Sequence, residues 1–125
     1  MNVEVQVNEQ HTLYSVEIYV PEDARITVGK LGEYVFPKGS YVYVGSAKKN
    51  IRSRVERHMR MDKNCHWHFD YFRPCGQIVR VLTYAGEEGE CGLFERLRSQ
   101  VNGSIPVRGF GSSDCRCPAH LFYVP

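Results

Sequence analysis

The chain has 125 residues, 42% of them hydrophobic and 24% charged, with a formal net charge of +2. This is the composition of an ordinary globular protein and excludes a disordered, collagen-like or membrane-spanning chain; the length suits one domain with a modest core. The net charge is too small to imply a polyanionic partner, so the placement of the cations matters more than their sum.

Met1-Asn2-Val3-Glu4-Val5-Gln6 has neither the basic start nor the apolar core of a signal peptide. No apolar run approaches the roughly 18 residues that a membrane helix needs. The cysteines are odd in number, five, and lack a secretory context, which argues against a disulfide framework. Cytoplasmic residence and no membrane partner are expected.

The first strong pattern is Thr12 to Val20, where Tyr14, Val16, Ile18 and Val20 fall on one side of a half-buried strand ended by Pro21. Short strands near Ile26-Thr27-Val28 and Tyr34-Val35-Phe36 follow, then a turn at Pro37-Lys38-Gly39 and a strand from Ser40 to Gly45. These place the antiparallel core in the first part of the chain, with Gly45 allowing a turn after the strand. From Asn50 to Met61 the period becomes helical, with Ile51, Val55 and Met59 as the apolar stripe. Arg54 and His58 stack at its shoulder, while Arg57 and Arg60 point outward.

Gln77 to Tyr84 reads as another strand and Gly86 to Gly89 as a loop. A second helix runs from about Glu90 to Val101, buries Phe94, Leu97 and Val101, and is closed by Asn102-Gly103. Ala119 to Val124 is the final strand. The fold class is therefore α/β of the α+β type, in one compact domain over residues 1–125.

Two features carry chemistry. Lys48, Lys49, Arg52, Arg54, Arg57 and Arg60 cluster around a single opposing Glu56, a local positive patch suited to a polyanion. A solvated helix face explains the outer arginines equally well. Glu90 stands one turn before Phe94, at the head of an apolar stripe, where a carboxylate must be paired, protonated or bound to a cation. A favourable place near a helix N-terminus is the plainer reading.

With Tyr14, Tyr43, Arg54, His58 and Glu90 the chain has what phosphodiester hydrolysis asks for. Arg54 offers a planar cationic fork for phosphate. A carboxylate-held Mg²⁺ or Mn²⁺ neutralises charge. Tyrosine or histidine relays a proton if neighbouring cations lower its pKa.

This set resembles the GIY-YIG nuclease superfamily, in its small Uri-type branch. Thr12-Leu13-Tyr14 stands in the place of the first signature triplet and Tyr43-Val44-Gly45 in that of the second. Ser46-Ala47, the Arg54 and His58 pair, His66-Trp67-His68-Phe69-Asp70-Tyr71, Glu90-Cys91, and Phe110 to Cys115 with His120-Leu121-Phe122 continue the series. The resemblance implies a central antiparallel sheet flanked by helices and a one-metal endonuclease site. Tyr14 and Tyr43 would lie at the attacked phosphate, with Arg54 as its clamp, His58 as proton relay and Glu90 as the Mg²⁺ ligand. Lys48, Lys49, Arg52, Arg57 and Arg60 would hold flanking phosphates of nucleic acid, DNA in preference to RNA. The first triplet lacks its usual glycine, Arg52 rivals Arg54 as the clamp, and Ser113 or Asp114 stands in for a late asparagine of many relatives.

Cys115-x-Cys117-x-x-His120 is a second constellation, with Cys65, His66, His68 and Cys91 as completing ligands for a structural Zn²⁺. Merely buried thiols, or a polar network of Asp114 and His120 under the site, are the alternatives. His66, His68 and Asp70 would share a face in a strand and hold a metal; in a helix, Trp67 and Tyr71 pack while His66 and Asp70 stack. A non-catalytic nucleic-acid scaffold and a zinc-stabilised interaction domain are the rival functions, and a domain this small often needs a protein partner or homodimer to choose its target.

Overall fold

The computed structural model describes residues 3–61, 65, 67–112 and 117–125. Its strands are β1 (Glu4–Gln6), β2 (Leu13–Val20), β3 (Ala24–Val28), β4 (Gly32–Phe36), β5 (Gly39–Ser46), β6 (Gln77–Tyr84) and β7 (Leu121–Val124). Its α-helices are α1 (Ile51–Met59), α2 (His68–Phe72) and α3 (Gly89–Gln100). The molecule is a single α+β unit, as expected.

The main sheet has the order β1-β6-β2-β5-β7, and β3 pairs with β4 in a separate two-stranded sheet. Every pairing in the main sheet is antiparallel except β1 with β6, which is parallel and makes the sheet mixed. The expectation that the antiparallel core comes from the first part of the chain is corrected here. β6 and β7 flank the central β2-β5 pair, while β3 and β4 leave the sheet. Strong alternation identified each strand; only long-range pairing decides which strands are neighbours.

The period-2 pattern of β2 sorts the core into two layers. Tyr14, Val16, Ile18 and Val20 face one way, with Tyr41 and Tyr43 from β5, Ile51 and Val55 from α1, and Phe69 and Phe72 from α2. Leu13 and Val44 face the other way, onto Leu93 and Phe94 of α3 and Phe122 of β7. The buried stripe of α3 thus differs from the expected one: Leu93 is fully buried, Leu97 only partly, and Val101 is half exposed. Val101 falls beyond the last turn of α3, where the chain has left helical geometry.

Gly45 is not at a turn. It lies within β5, directly opposite Tyr14 in the register. A Cβ at Gly45 would stand 2.4 Å from the Tyr14 hydroxyl oxygen, so the missing side chain lets the phenol cross the strand. The chain turns into α1 further on, at Asn50, whose φ of 55° is left-handed, a conformation that asparagine tolerates better than most residues. Among the described residues no helix is long and apolar enough to cross a membrane.

Candidate active site

At the Tyr14 end of β2 a cleft of about 830 Å³ opens. It is lined by Tyr14, Tyr43, Arg54, Glu90, Trp67 and His120, together with Gly45, Lys48, Lys49 and Gly111. Four of the five sequence-predicted catalytic residues therefore meet in one cavity. The fifth, His58, is wholly buried directly behind it: its Nε2 is 2.7 Å from the Tyr14 hydroxyl. The alternation of β2, the register with β5 and the four-residue step from Arg54 to His58 on α1 bring the set together.

Arg54 sits over the cleft, braced on two sides. Its Nη1 donates to the Ser46 carbonyl at 3.1 Å, and its guanidinium lies 4.8 Å from the centre of the Trp67 ring. Stacking holds the plane of the fork, and the N–H groups not bonded to the Ser46 carbonyl or to Tyr14 remain for an anion. Arg52 is no rival for this position. It is exposed and pairs with Glu9 at 3.4 Å, on the outside of α1.

Both site tyrosines are held neutral. Burial is the largest influence on each and pushes the phenol well above its usual value near 10; Arg54 acts in the opposite direction on both, and on Tyr14 also through a hydrogen bond. The condition of a phenol pKa lowered by neighbouring cations is therefore not met: desolvation wins. The Glu90 carboxylate adds to the upward push on both, so its charge is felt across the cleft.

Glu90 enters from the first turn of α3, its side chain 27% exposed, with Oε1 3.7 Å from His120 Nε2. Among the described residues lining the cleft it alone is a carboxylate. A single hard oxygen donor in a wet cleft fits Mg²⁺ or Mn²⁺, which keep several waters when bound to protein. His120 is almost fully buried, and its pKa is lowered by desolvation, against opposing contributions from Glu90 and a hydrogen bond to the Gly111 backbone. Gly111 has a φ of 74° and presses close to both Tyr43 and His120, so it forms part of the cleft wall that a larger residue would displace.

The expected zinc constellation changes in composition. Cys91 of α3 and Cys117 are joined by a disulfide, contrary to the expectation of free thiols, with His120 Nε2 2.8 Å from the Cys117 sulfur. Spacing could not disclose this pair, because the cysteines are 26 residues apart and meet only through the packing of α3 beside the start of β7. Cys65 is free and exposed. His68 Nδ1 accepts the Gly111 N–H at 2.8 Å instead. His66, Ser113, Asp114 and Cys115 lie outside the described residues.

The cationic rim is thinner than the sequence suggests. Arg57 is not an outward phosphate contact: its Nη1 and Nη2 each reach a carboxylate oxygen of Asp70 at 3.0 Å. Asp70 is buried and also accepts the Trp67 N–H at 2.8 Å, which fixes the start of α2 and with it the ring under Arg54. This settles the segment as helical, so His68 and Asp70 do not share a strand face. Lys48, Lys49 and Arg60 are exposed, as expected of a rim.

Sequence reasoning missed two contributors. Trp67 was assigned to packing, and only its position over Arg54 reveals the second role. His120 was assigned to zinc or to a supporting network, yet it lines the cleft beside Glu90. Its sequence signals, the spacing to Cys117 and the place before an apolar strand, pointed to a metal or a support and not to the cleft wall. A family model described as "Domain of unknown function DUF123" matches residues 13–125. No curated protein and no solved structure matches the chain.

Proposed function

The chain belongs to the DUF123 family, and from its cleft we propose that it is a metal-dependent endonuclease of GIY-YIG type that hydrolyses phosphodiester bonds. The observation that carries this reading is the convergence of Tyr14, Tyr43, Arg54 and Glu90 on one cavity, with His58 bonded to Tyr14 from behind. Packing of the core brings Tyr14, Tyr43 and His58 together, but it does not require Arg54 of α1 and Glu90 of α3 at the same cavity.

Burial raises the Tyr14 pKa, which disfavours a standing phenolate as base and favours a relay. As water attacks phosphorus, its proton passes to the Tyr14 oxygen while the Tyr14 hydroxyl proton passes to His58 Nε2, 2.7 Å away. The phenol stays neutral throughout, and the imidazole carries the charge. Tyr14 is thus the water-activating tyrosine. Tyr43, stacked on Phe69 at 4.9 Å between ring centres, shapes the floor of the cleft and positions the phosphate. The Arg54 fork neutralises the equatorial oxygens as negative charge builds there. Glu90 would hold Mg²⁺ or Mn²⁺, which when bound stabilises the departing oxygen.

Lys48 and Lys49 border the cleft and, with Arg60, suit phosphates flanking the scissile one. The substrate class is nucleic acid, DNA in preference to RNA, selected by shape, with a protein partner or second copy refining the choice. A second reading, a non-catalytic nucleic-acid scaffold, draws on the burial that keeps both tyrosines neutral.

One experiment separates the two. Labelled duplex, single-stranded and branched DNA, and RNA, are incubated with the protein in Mg²⁺, Mn²⁺ or EDTA, with Glu90→Ala alongside. Cutting that needs the cation and falls about 100- to 1000-fold in Glu90→Ala is the expected result. Binding without cutting of any substrate would support the scaffold instead.

A further inference from the structure

The sulfur atoms of Cys91 and Cys117 and the Nε2 of His120 all lie within 4.8 Å of one another. Nε2 is 2.8 Å from one sulfur and 3.9 Å from the other. Two soft sulfur donors and an imidazole, brought together from α3 and from the approach to β7, are the ligand types of a zinc site. Nε2 is the ring nitrogen turned toward both sulfurs, which leaves Nδ1 on the far side of the ring, the orientation that metal-binding histidines adopt.

We propose that the reduced protein binds one zinc ion through Cys91, Cys117 and His120, and that the Cys91–Cys117 disulfide is the oxidised, metal-free form of the same site. The two forms differ by a balanced exchange. A dithiol reductant delivers two electrons and two protons, the sulfur–sulfur bond breaks, each sulfur takes a proton, and the reductant becomes a disulfide. Zinc then displaces one proton from each thiol and accepts the His120 lone pair, giving a neutral centre with its fourth position open. In that centre the sulfurs stand about 3.8 Å apart, as two zinc–sulfur bonds of roughly 2.3 Å at a tetrahedral angle require. Residues 91 and 117 already have Cα atoms 5.7 Å apart, so side-chain rotation suffices for most of the change.

Glu90 stands beside the cluster, its Oε1 3.7 Å from His120 Nε2. The site therefore ties α3, and the carboxylate that it carries, to the strand that ends the sheet. In either form it fixes the position of Glu90; what changes is whether a bond or an ion does so.

The test uses zinc alone as the probe and bound metal as the readout, so it succeeds or fails whether or not the protein cleaves a phosphodiester. The full chain is reduced with a phosphine, stripped with a chelator and titrated anaerobically with Zn²⁺, in parallel with air-oxidised protein. One equivalent bound by the reduced protein and none by the oxidised is the expected outcome. Cobalt in its place should give thiolate-to-metal charge-transfer bands. Cys91→Ser and Cys117→Ser should each weaken zinc by at least about 100-fold, the upper end of what losing a mere supporting partner costs. Cys65→Ser, at the exposed thiol, should bind like wild type. Wild-type reduced protein that takes up no zinc overturns the proposal without reference to any variant, as does equal uptake by a Cys91→Ser/Cys117→Ser double variant.

Discussion

The two faces of α1 carry the same residue types and do different work. On the inner face, Arg54 and His58 are braced by neighbours and aimed at one cavity. Away from that cavity, Arg52 is exposed and paired with Glu9, Arg57 is half-buried and paired with buried Asp70, and Arg60, just past the end of α1, stays in solvent. A run of cations in sequence is therefore not a phosphate footprint. What separates a catalytic cation from a structural or a solvated one is where its partner sits, and partners come from other elements.

The contrast breaks most sharply at Tyr14. Tyr14→Phe keeps the ring packing but removes the proton path and the buried hydrogen bond to His58, so cleavage should fall about 100- to 10,000-fold while stability falls by about 1–3 kcal/mol. Tyr43→Phe should cost less, and single-turnover rates on the same substrate compare them.

Arg57→Ala tests the structural cation. It strands the Asp70 carboxylate, which is 2% exposed, without its bidentate partner. Since the arginine itself is partly exposed, the loss should lie toward the lower end of the range for broken buried pairs, about 3 kcal/mol by denaturant unfolding. An unchanged midpoint would return Arg57 to the rim.

Gly45→Ala sharpens the comparison from the sheet side. Its Cβ would meet the Tyr14 ring and hydroxyl from 2.4 Å outward, so the phenol must move off His58. Overpacking of this kind costs about 1–3 kcal/mol, and the crystal structure of the variant would show the Tyr14–His58 contact opened.

The smallest effect concerns pH. The folded pKa of Tyr14 and of Tyr43 lies above the unfolded value near 10, because burial opposes the phenolate. Below that pH both states keep their protons and the stability is fully present. Above it the unfolded state releases protons that the folded state retains, so stability falls as pH climbs. Melting temperature followed by circular dichroism should drop above about pH 10, and less so in Tyr14→Phe.

How much of this was legible in the sequence follows from the range of each interaction. β2, β5, β6 and α1 were readable because periodicity is local, and Tyr14, Tyr43, Arg54 and Glu90 could be named from local patterns and resemblance. Arg57 with Asp70, Cys91 with Cys117 and Arg54 with Trp67 were not, since each joins separate elements. The sign of the tyrosine pKa shift was not legible for a related reason. Charge is visible in a sequence, whereas the depth of burial that outweighs it is a property of the packed core.

Arg54, braced over the cleft, and Arg60, exposed just past the end of α1, should differ in kind, and one comparison tests it. Single-turnover cleavage of one labelled nucleic acid is measured at saturating protein for wild type, Arg54→Ala and Arg60→Ala, with affinity measured across a salt series. The account predicts that Arg54→Ala lowers the rate about 1000-fold while binding largely survives. Arg60→Ala should keep the rate and reduce the salt slope by about 0.9 on duplex DNA. Equal losses of rate in the two variants, or a wild type that cuts nothing, would contradict it.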